Sequence, residues 1–476
     1  MVIPVLFFLP LTLAVLSFLM RRPALDRYLV LLHAMGHLAG VAWMALEPCS
    51  WAGYFETDPP AVLVLALLAI VYLAVAVKRF LDERGMHHDG HEAWHSLQTT
   101  ALMIFIGAMT AAALTNHAAM LWVFVEGTTL ASAPLIYSSR TKTALEATWK
   151  YIFICSIGIA LAFIGIILLM MGMEPGASLH FRDLEANAGK IDPFWLKFAF
   201  PFILVGFGTK AGFAPVHAWL PDAHSEAPSG ISALLSATLL NTALLAVLRF
   251  GNILDAAGYG VFVRDALVVT GFLSLFVAAV YMLRVENYKR MLAYSSIENM
   301  GIMAIGFGLG GAGAVAAVLH MVAHSLVKGA FFLTAGDILH AWKRRDIAGA
   351  GGVLATWPRT GWVWLTAFVA ISGLPPFAAF FSEIMLMSAL LEAGYPVLLA
   401  LFLLLLTVII WGMGRGVLAV AMGPARPDLA GHRSSAIWPQ VLLLGLAIAI
   451  VVAMPQPVET FFRDVAAILG VNGGQR

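Results

Sequence analysis

The chain of 476 residues is 61% hydrophobic and 12% charged, with a formal net charge of +1 and two cysteines. A soluble domain holds about 25% charged residues, and no soluble packing hides this much apolar surface, so lipid must face much of it. The near-neutral balance carries no sign of a nucleic-acid or acidic partner. Cys49 and Cys155, far apart in sequence, offer no thiolate set for an iron–sulfur cluster or structural zinc.

The first twenty residues are apolar and are followed by Arg21 and Arg22. A signal peptide places its positive charge before the apolar run and a small-residue cleavage site after it, so this stretch is predicted to be a retained first span. A spanning helix needs about 20 apolar residues. That ruler predicts about fourteen transmembrane helices, an all-α integral membrane fold, with starts near residues 2, 28, 60, 97, 117, 148, 195, 229, 264, 290, 313, 361, 396 and 437.

Alternate loops carry the basic residues: Arg21, Arg22 and Arg27; Lys78, Arg79 and Arg84; Arg140 and Lys142; Arg284, Lys289 and Arg290; Lys343, Arg344 and Arg345; Arg426 and Arg433. Cytoplasmic loops carry the Lys/Arg excess, so both termini are expected on the non-cytoplasmic side.

Two spans contain helix breakers. Residues 195–226 hold Pro201, Pro215 and Pro221 with Gly206, Gly208 and Gly212; residues 361–393 hold Gly373, Pro375 and Pro376. These are spans seven and twelve, five apart, so a repeat relating them is inverted in the membrane, as in transporters with broken helices. The resulting division is 1–96 (three spans), 97–250 (a first repeat, helices four to eight), 264–423 (a second, inverted five-helix repeat, helices nine to thirteen) and 437–476 (a last helix and tail).

Ionisable residues inside spans cost at least about 2.5–3.5 kcal/mol on insertion scales, and each asks for a reason. Glu126 lies in the fifth span, Lys210 beside the first break, and Glu383 just after the second. His320, His324 and Lys328 recur every fourth residue, a polar stripe about 12 Å long on one helix face. With water between them such groups pass protons, and an acid near Lys210 would make a proton switch. The duller alternative is interhelical hydrogen bonding. In PDAHSEAPS, Asp222, His224 and Glu226 are candidates for an ion entrance; equally, Asp222 or Ser225 suits a helix cap.

Other patterns carry less. GFGLGG at 306–311 matches a dinucleotide-binding spacing but lies between two spans, without the strand and acid that reading requires. His87, His88, His91 and His95 form a histidine tract with no cysteine beside it, and no metal site is expected there. His33, His37 and His117 are assigned to packing or interface roles, and the cysteines to packing.

The segments KRMLAYSSIENMGI, FGTKAGFAPVHAWLPDAHSEAPS and LHMVAHSLVKGAFF resemble the proton-translocating antiporter-like membrane subunits of respiratory complex I. Cation/proton antiporter subunits and energy-converting hydrogenase membrane subunits belong to the same family. DAHSEAPS, SALLSATLLNTALLAVLRF and AYSSIENMGI look most like its hydrogenase-4 component F branch, found in formate-hydrogenlyase-type complexes. The resemblance runs from about Leu97 to about Gly423. It implies fourteen helices with two inverted five-helix repeats, and ion translocation by Glu126, Lys210, His320, His324, Lys328 and Glu383. It implies no cofactor bound by this chain. The implied partners are other membrane subunits and a peripheral arm carrying iron–sulfur clusters, with nickel–iron where that arm is a hydrogenase, in a prokaryotic cytoplasmic membrane. A sodium/proton antiporter subunit without redox coupling is the alternative. Two positions depart from the pattern. Where some relatives carry a lysine or histidine in the eighth helix, this chain has Asn241 and Ser236, neither of which titrates, and Asn241 joins the gating candidates. The long lateral helix of some relatives is not expected either.

Overall fold

The computed structural model describes residues 2–83, 92–430 and 436–471. The chain is almost wholly helical, and by packing it divides into two units. One runs to Ala211 and includes Thr238–Val261; the other comprises Gly212–Ala237 and the chain from Phe262 on.

In the first unit, α1 (Val2–Met20) and α2 (Pro23–Leu46) are followed by a two-stranded hairpin, β1 (Ser50–Trp51) and β2 (Phe55–Glu56), paired antiparallel. Then come α3 (Pro59–Asp82), α4 (Glu92–Leu114), α5 (Ala118–Ile136), α6 (Lys142–Met171), the short α7 (Phe181–Ala186) and α8 (Pro193–Ala211). The starts are chemically marked. Asp58 accepts from Ala61 N at 2.7 Å ahead of Pro59, and Thr141 accepts from Ala144 N at 3.1 Å. Helices α6 and α8 meet along glycines: a Cβ at Gly206 would lie 2.5 Å from Ala162 N, and one at Gly158 2.6 Å from Thr209. Small residues of this kind let membrane helices approach backbone to backbone.

Next in the chain come α9 (Trp219–Glu226) and α10 (Ser229–Leu234), then a π-helical turn (Leu235–Leu239), then α11 (Leu240–Ala256), which packs on α8. The second unit continues with α12 (Gly260–Met282), α13 (Tyr288–Leu309), α14 (Gly311–Trp342), the single turn α15 (Val353–Thr356), α16 (Pro358–Ile371), α17 (Ala378–Glu392), α18 (Pro396–Ala421), the single turn α19 (Pro427–Ala430), α20 (Trp438–Val452) and α21 (Gln456–Leu469). Helix α14 is its axis: 94% of its apolar stretch is buried, against 33% for α18, which turns outward.

Among the described residues eleven helices are long and apolar enough to cross a membrane, or twelve if α20 and α21 are counted as one bent span. The spans expected near 290 and 361 fall on α13 and on α16–α17, which are helical but do not meet that test. Helix α13 carries Lys289, Arg290 and Glu298, and α16–α17 is interrupted. The last expected span is two helices, turned 91° at a break ahead of Gln456. Lys289, expected as a loop charge, stands in the first turn of α13 and is fully buried.

Both expected breaks are present. Helix α8 stops at Ala211 and α9 starts at Trp219, with Gly212 at φ +77° between them. Helix α16 stops at Ile371 and α17 starts at Ala378, with Gly373 at φ +62°. Each glycine takes a left-handed conformation that a side chain disfavours.

Candidate functional site

The first unit holds Glu126 and Lys210. Glu126 projects from α5; one carboxylate oxygen accepts from Ser156 Oγ at 2.7 Å and the other from Thr129 Oγ1 at 3.1 Å. Lys210, in the last turn of α8, is fully buried and donates to Tyr151 Oη at 2.7 Å, with its ammonium 4.7 Å from the centre of the Tyr151 ring. The Tyr151 hydroxyl in turn lies 2.6 Å from Ser132 Oγ. The hydrogen bonds described for the acid and the base thus run to hydroxyls of α5 and α6. Asn241 is buried in α11, on the helix that packs against α8.

The second unit holds the stripe. His320, His324 and Lys328 are buried on α14. His320 Nδ1 lies 2.9 Å from Ser382 Oγ of α17, and Nε2 lies 3.0 Å from Asn299 Oδ1 of α13. Asn299 is fixed in this orientation because its amide donates to Ser295 O at 2.6 Å. Ser382 also has Ala379 O in reach at 2.8 Å. The Ser382 hydrogen therefore has two destinations. With His320 neutral, Nε2–H donates to Asn299 and Ser382 donates to Nδ1. With His320 protonated, Nδ1–H donates to Ser382, whose hydrogen turns to Ala379 O. Both protonation states are fully hydrogen-bonded.

His324 is arranged differently. Its Nε2 lies 3.2 Å from Ser236 O, an acceptor only, so the hydrogen is on Nε2. Nδ1 is buried and has no hydrogen-bond partner. The imidazole thus presents a lone pair to receive a proton and an N–H to release one. Next to it, Ser325 Oγ donates to Ala237 O at 2.8 Å. Both carbonyls belong to the π-helical turn, where the helical ladder is out of its usual register. Ser236 enters the site through its backbone, although its side chain does not titrate, and its hydroxyl meets Ser296 Oγ at 2.7 Å.

Lys328 donates to Leu292 O at 2.8 Å. Glu298 of α13 is a further buried carboxylate in this unit. Glu383 is buried in α17, its carboxylate laid over Gly373, where any Cβ would overlap it. Glu298 and Lys289 were missed from sequence. Lys289 donates to Ala227 O at 2.5 Å.

The entrance candidates are tied down. Asp222 pairs with Arg290, Glu226 Oε1 with Arg345 Nη1 at 2.5 Å, and Asn287 Nδ2 donates to Ser225 Oγ at 2.9 Å. His224 is fully buried and stacks on Phe332 at 5.0 Å, with neither ring nitrogen hydrogen-bonded. The capping alternative is not taken, since Pro228 precedes α10 without a side-chain cap.

Of the histidine tract, His87, His88 and His91 lie outside the described residues, whereas His95 lies in α4. Among the described residues no group of three or more His, Cys, Asp or Glu is placed to hold a metal ion.

The comparisons agree with this architecture. A protein from Methylacidiphilum infernorum, described as a hydrogenase-4 component F homolog, is 34% identical over 87% of this chain and 90% of its own length. A chain of the membrane-bound sulfane sulfur reductase, an archaeal respiratory membrane complex, superposes with a TM-score of 0.89 over 99% of this chain and 98% of its own, at 23% identity. A chain of the Mrp complex from a Dietzia species gives 0.84 over 98% of this chain and 99% of its own, at 18% identity. At those identities the structural likeness establishes the fold. The family model of the NADH:quinone oxidoreductase/Mrp antiporter transmembrane region matches residues 115–409, which contain every candidate translocation residue. The chain therefore belongs to the NADH:quinone oxidoreductase/Mrp antiporter family.

Proposed function

We propose that this protein is the proton-translocating membrane subunit of a redox-driven complex of the energy-converting nickel–iron hydrogenase, formate hydrogenlyase or complex I type. The observation that carries this is the stripe of α14, where His320 is satisfied in either protonation state and His324 has an Nδ1 lone pair with no hydrogen-bond partner and an N–H at Nε2. Such bonding serves a group whose charge changes during a cycle. A permanent helix clamp does not use it.

In this reading Glu126 and Lys210 act in one unit, and the stripe with Glu383 in the other. Partner subunits hold the iron–sulfur clusters, and nickel–iron where the complex is a hydrogenase. Electron transfer there repositions Glu126 relative to Lys210, and the proton leaves by way of Glu383. Asp222, His224, Glu226 and Asn241 gate entry. Helices α13 and α16–α17 complete fourteen spans in two inverted repeats, in a prokaryotic cytoplasmic membrane with both termini outside.

The test uses the intact complex in inverted vesicles. Lys210→Ala and Lys328→Ala are expected to abolish donor-driven proton uptake while assembly persists; retained uptake in both refutes the proposal. The family match to Mrp antiporters favours a second reading, sodium/proton exchange without redox coupling. A sodium gradient that drives proton movement with no electron donor present would select it.

A further inference from the structure

We propose that Tyr151, backed by Ser132, is a positioning residue that keeps Lys210 hydrogen-bonded both with and without its proton, a role that rests on the switching function given to Lys210 above. Lys210 of α8, Tyr151 of α6 and Ser132 of α5 are fully buried and belong to one unit. The spacing between α6 and α8 is set by packing. Two helical turns along α6 from Tyr151, a Cβ at Gly158 would lie 2.6 Å from Thr209, the residue that precedes Lys210. The phenol and the amine are thus held in register by the backbones, whatever the charge between them.

The hydrogens are assigned by their acceptors. Ser132 Oγ donates to Thr128 O at 2.6 Å, so it accepts from Tyr151 Oη, 2.6 Å away. With its own hydrogen spent there, Tyr151 Oη accepts from Lys210 Nζ at 2.7 Å. That is the ammonium state. Once Lys210 is neutral, its nitrogen has a lone pair that needs a donor. The phenol hydrogen then turns to Nζ, and Ser132 Oγ, rotated off Thr128 O, donates to Tyr151 Oη. Each hydroxyl keeps one hydrogen in both states, and no proton travels along the row. A carboxylate in the place of the phenol would only accept, and its charge would hold the proton on the amine. A phenol accepts and donates equally well. Its ring also offers the ammonium a face, 4.7 Å from Nζ. Adhesion between α5, α6 and α8 is indifferent to whether the row can reverse, so a charge-dependent readout separates the two roles.

The test follows donor-driven proton uptake by the intact complex in inverted vesicles across a range of pH. Tyr151→Phe keeps the ring face and removes the hydroxyl, so the ammonium loses an acceptor. Recharging Lys210 then takes about tenfold more protons, and the alkaline limb of uptake is expected to move about one pH unit towards acid, with uptake at low pH near the parent rate. Ser132→Ala is expected to move the limb the same way by less, and Ser132→Thr, which keeps the hydroxyl, to leave it in place. An unmoved profile in Tyr151→Phe, or a loss by the same factor at every pH, overturns the proposal. Should Tyr151→Phe fail to assemble, the same two results in Ser132→Ala overturn it. Lys210→Ala is measured alongside. Uptake lost there but unmoved in Tyr151→Phe defeats this proposal and leaves the pump standing, whereas uptake retained without Lys210 defeats both.

Discussion

Replacing Ser382 by alanine isolates the two-state hydrogen bonding of His320. In the neutral state the substitution removes one ordinary bond to Nδ1, worth about 1 kcal/mol. In the protonated state it removes the acceptor of a charged donor, worth about 1.5–3 kcal/mol. Asn299 keeps Nε2 in both states, because its orientation is fixed by Ser295 O. The difference, about 1 kcal/mol against the imidazolium, corresponds to about fivefold in a proton-transfer rate that passes through it. The assay is initial proton uptake into inverted vesicles carrying the intact complex, driven by the electron donor. Ser382→Thr keeps the hydroxyl and serves as the control. Ser382→Ala is expected to slow uptake about fivefold and Ser382→Thr to remain near the parent rate. If both fall equally, packing at α17 is the cause; if neither falls, His320 does not carry charge during turnover. Either result refutes the two-state reasoning.

Three further outcomes follow from the structure. Burial alone would raise the carboxyl of Glu83, but its bonds to His95 and Arg79 outweigh this and bring it down to about 2. Its contribution, on the order of 2–3 kcal/mol, is fully present above the ordinary carboxylate range and is lost as pH falls towards 2. The unfolding midpoint of the purified protein should therefore drop between pH 4.5 and 2, and Glu83→Gln should flatten that drop. Arg345→Ala removes a charge-assisted bond to Glu226 worth about 1.5–3 kcal/mol; hydrogen exchange across α9 should accelerate accordingly, with Arg345→Lys restoring part. Gly206→Val forces a branched side chain against the Ala162 backbone and should destabilise by about 1–3 kcal/mol through overpacking, read as a lowered unfolding midpoint, whereas Gly189→Val, at a glycine with open space around it, should not.

Both helix breaks were legible because proline and glycine announce them, and the buried stripe because ionisable residues recur at helical spacing in apolar sequence. Glu298 carries that same signal, an acid in the middle of a span, yet reads as part of a polar run, YSSIEN, in which no single residue stands out. Lys289 was masked by Arg290: the pair suggests a loop, whereas capping by Asn287 starts the helix just before them and turns Lys289 inward. The bend ahead of α21 was hidden by a continuous apolar run up to Met454, and Pro455 acts only where the run already weakens.

Ser236 shows the limit of reading function from side chains. Some relatives resembled by this chain carry a titrating group at that position, and the serine here departs from that pattern. The structure answers with a carbonyl instead, and α14 places His324 on it. A carbonyl, being an acceptor only, fixes which imidazole nitrogen carries the hydrogen, and it adds no charge of its own. It leaves Nδ1 as the basic nitrogen of the neutral ring. A lysine or histidine at the same place would itself compete for the proton. A serine in place of a titrating side chain therefore provides no storage site there, while the orientation of His324 is built into the π-helical turn.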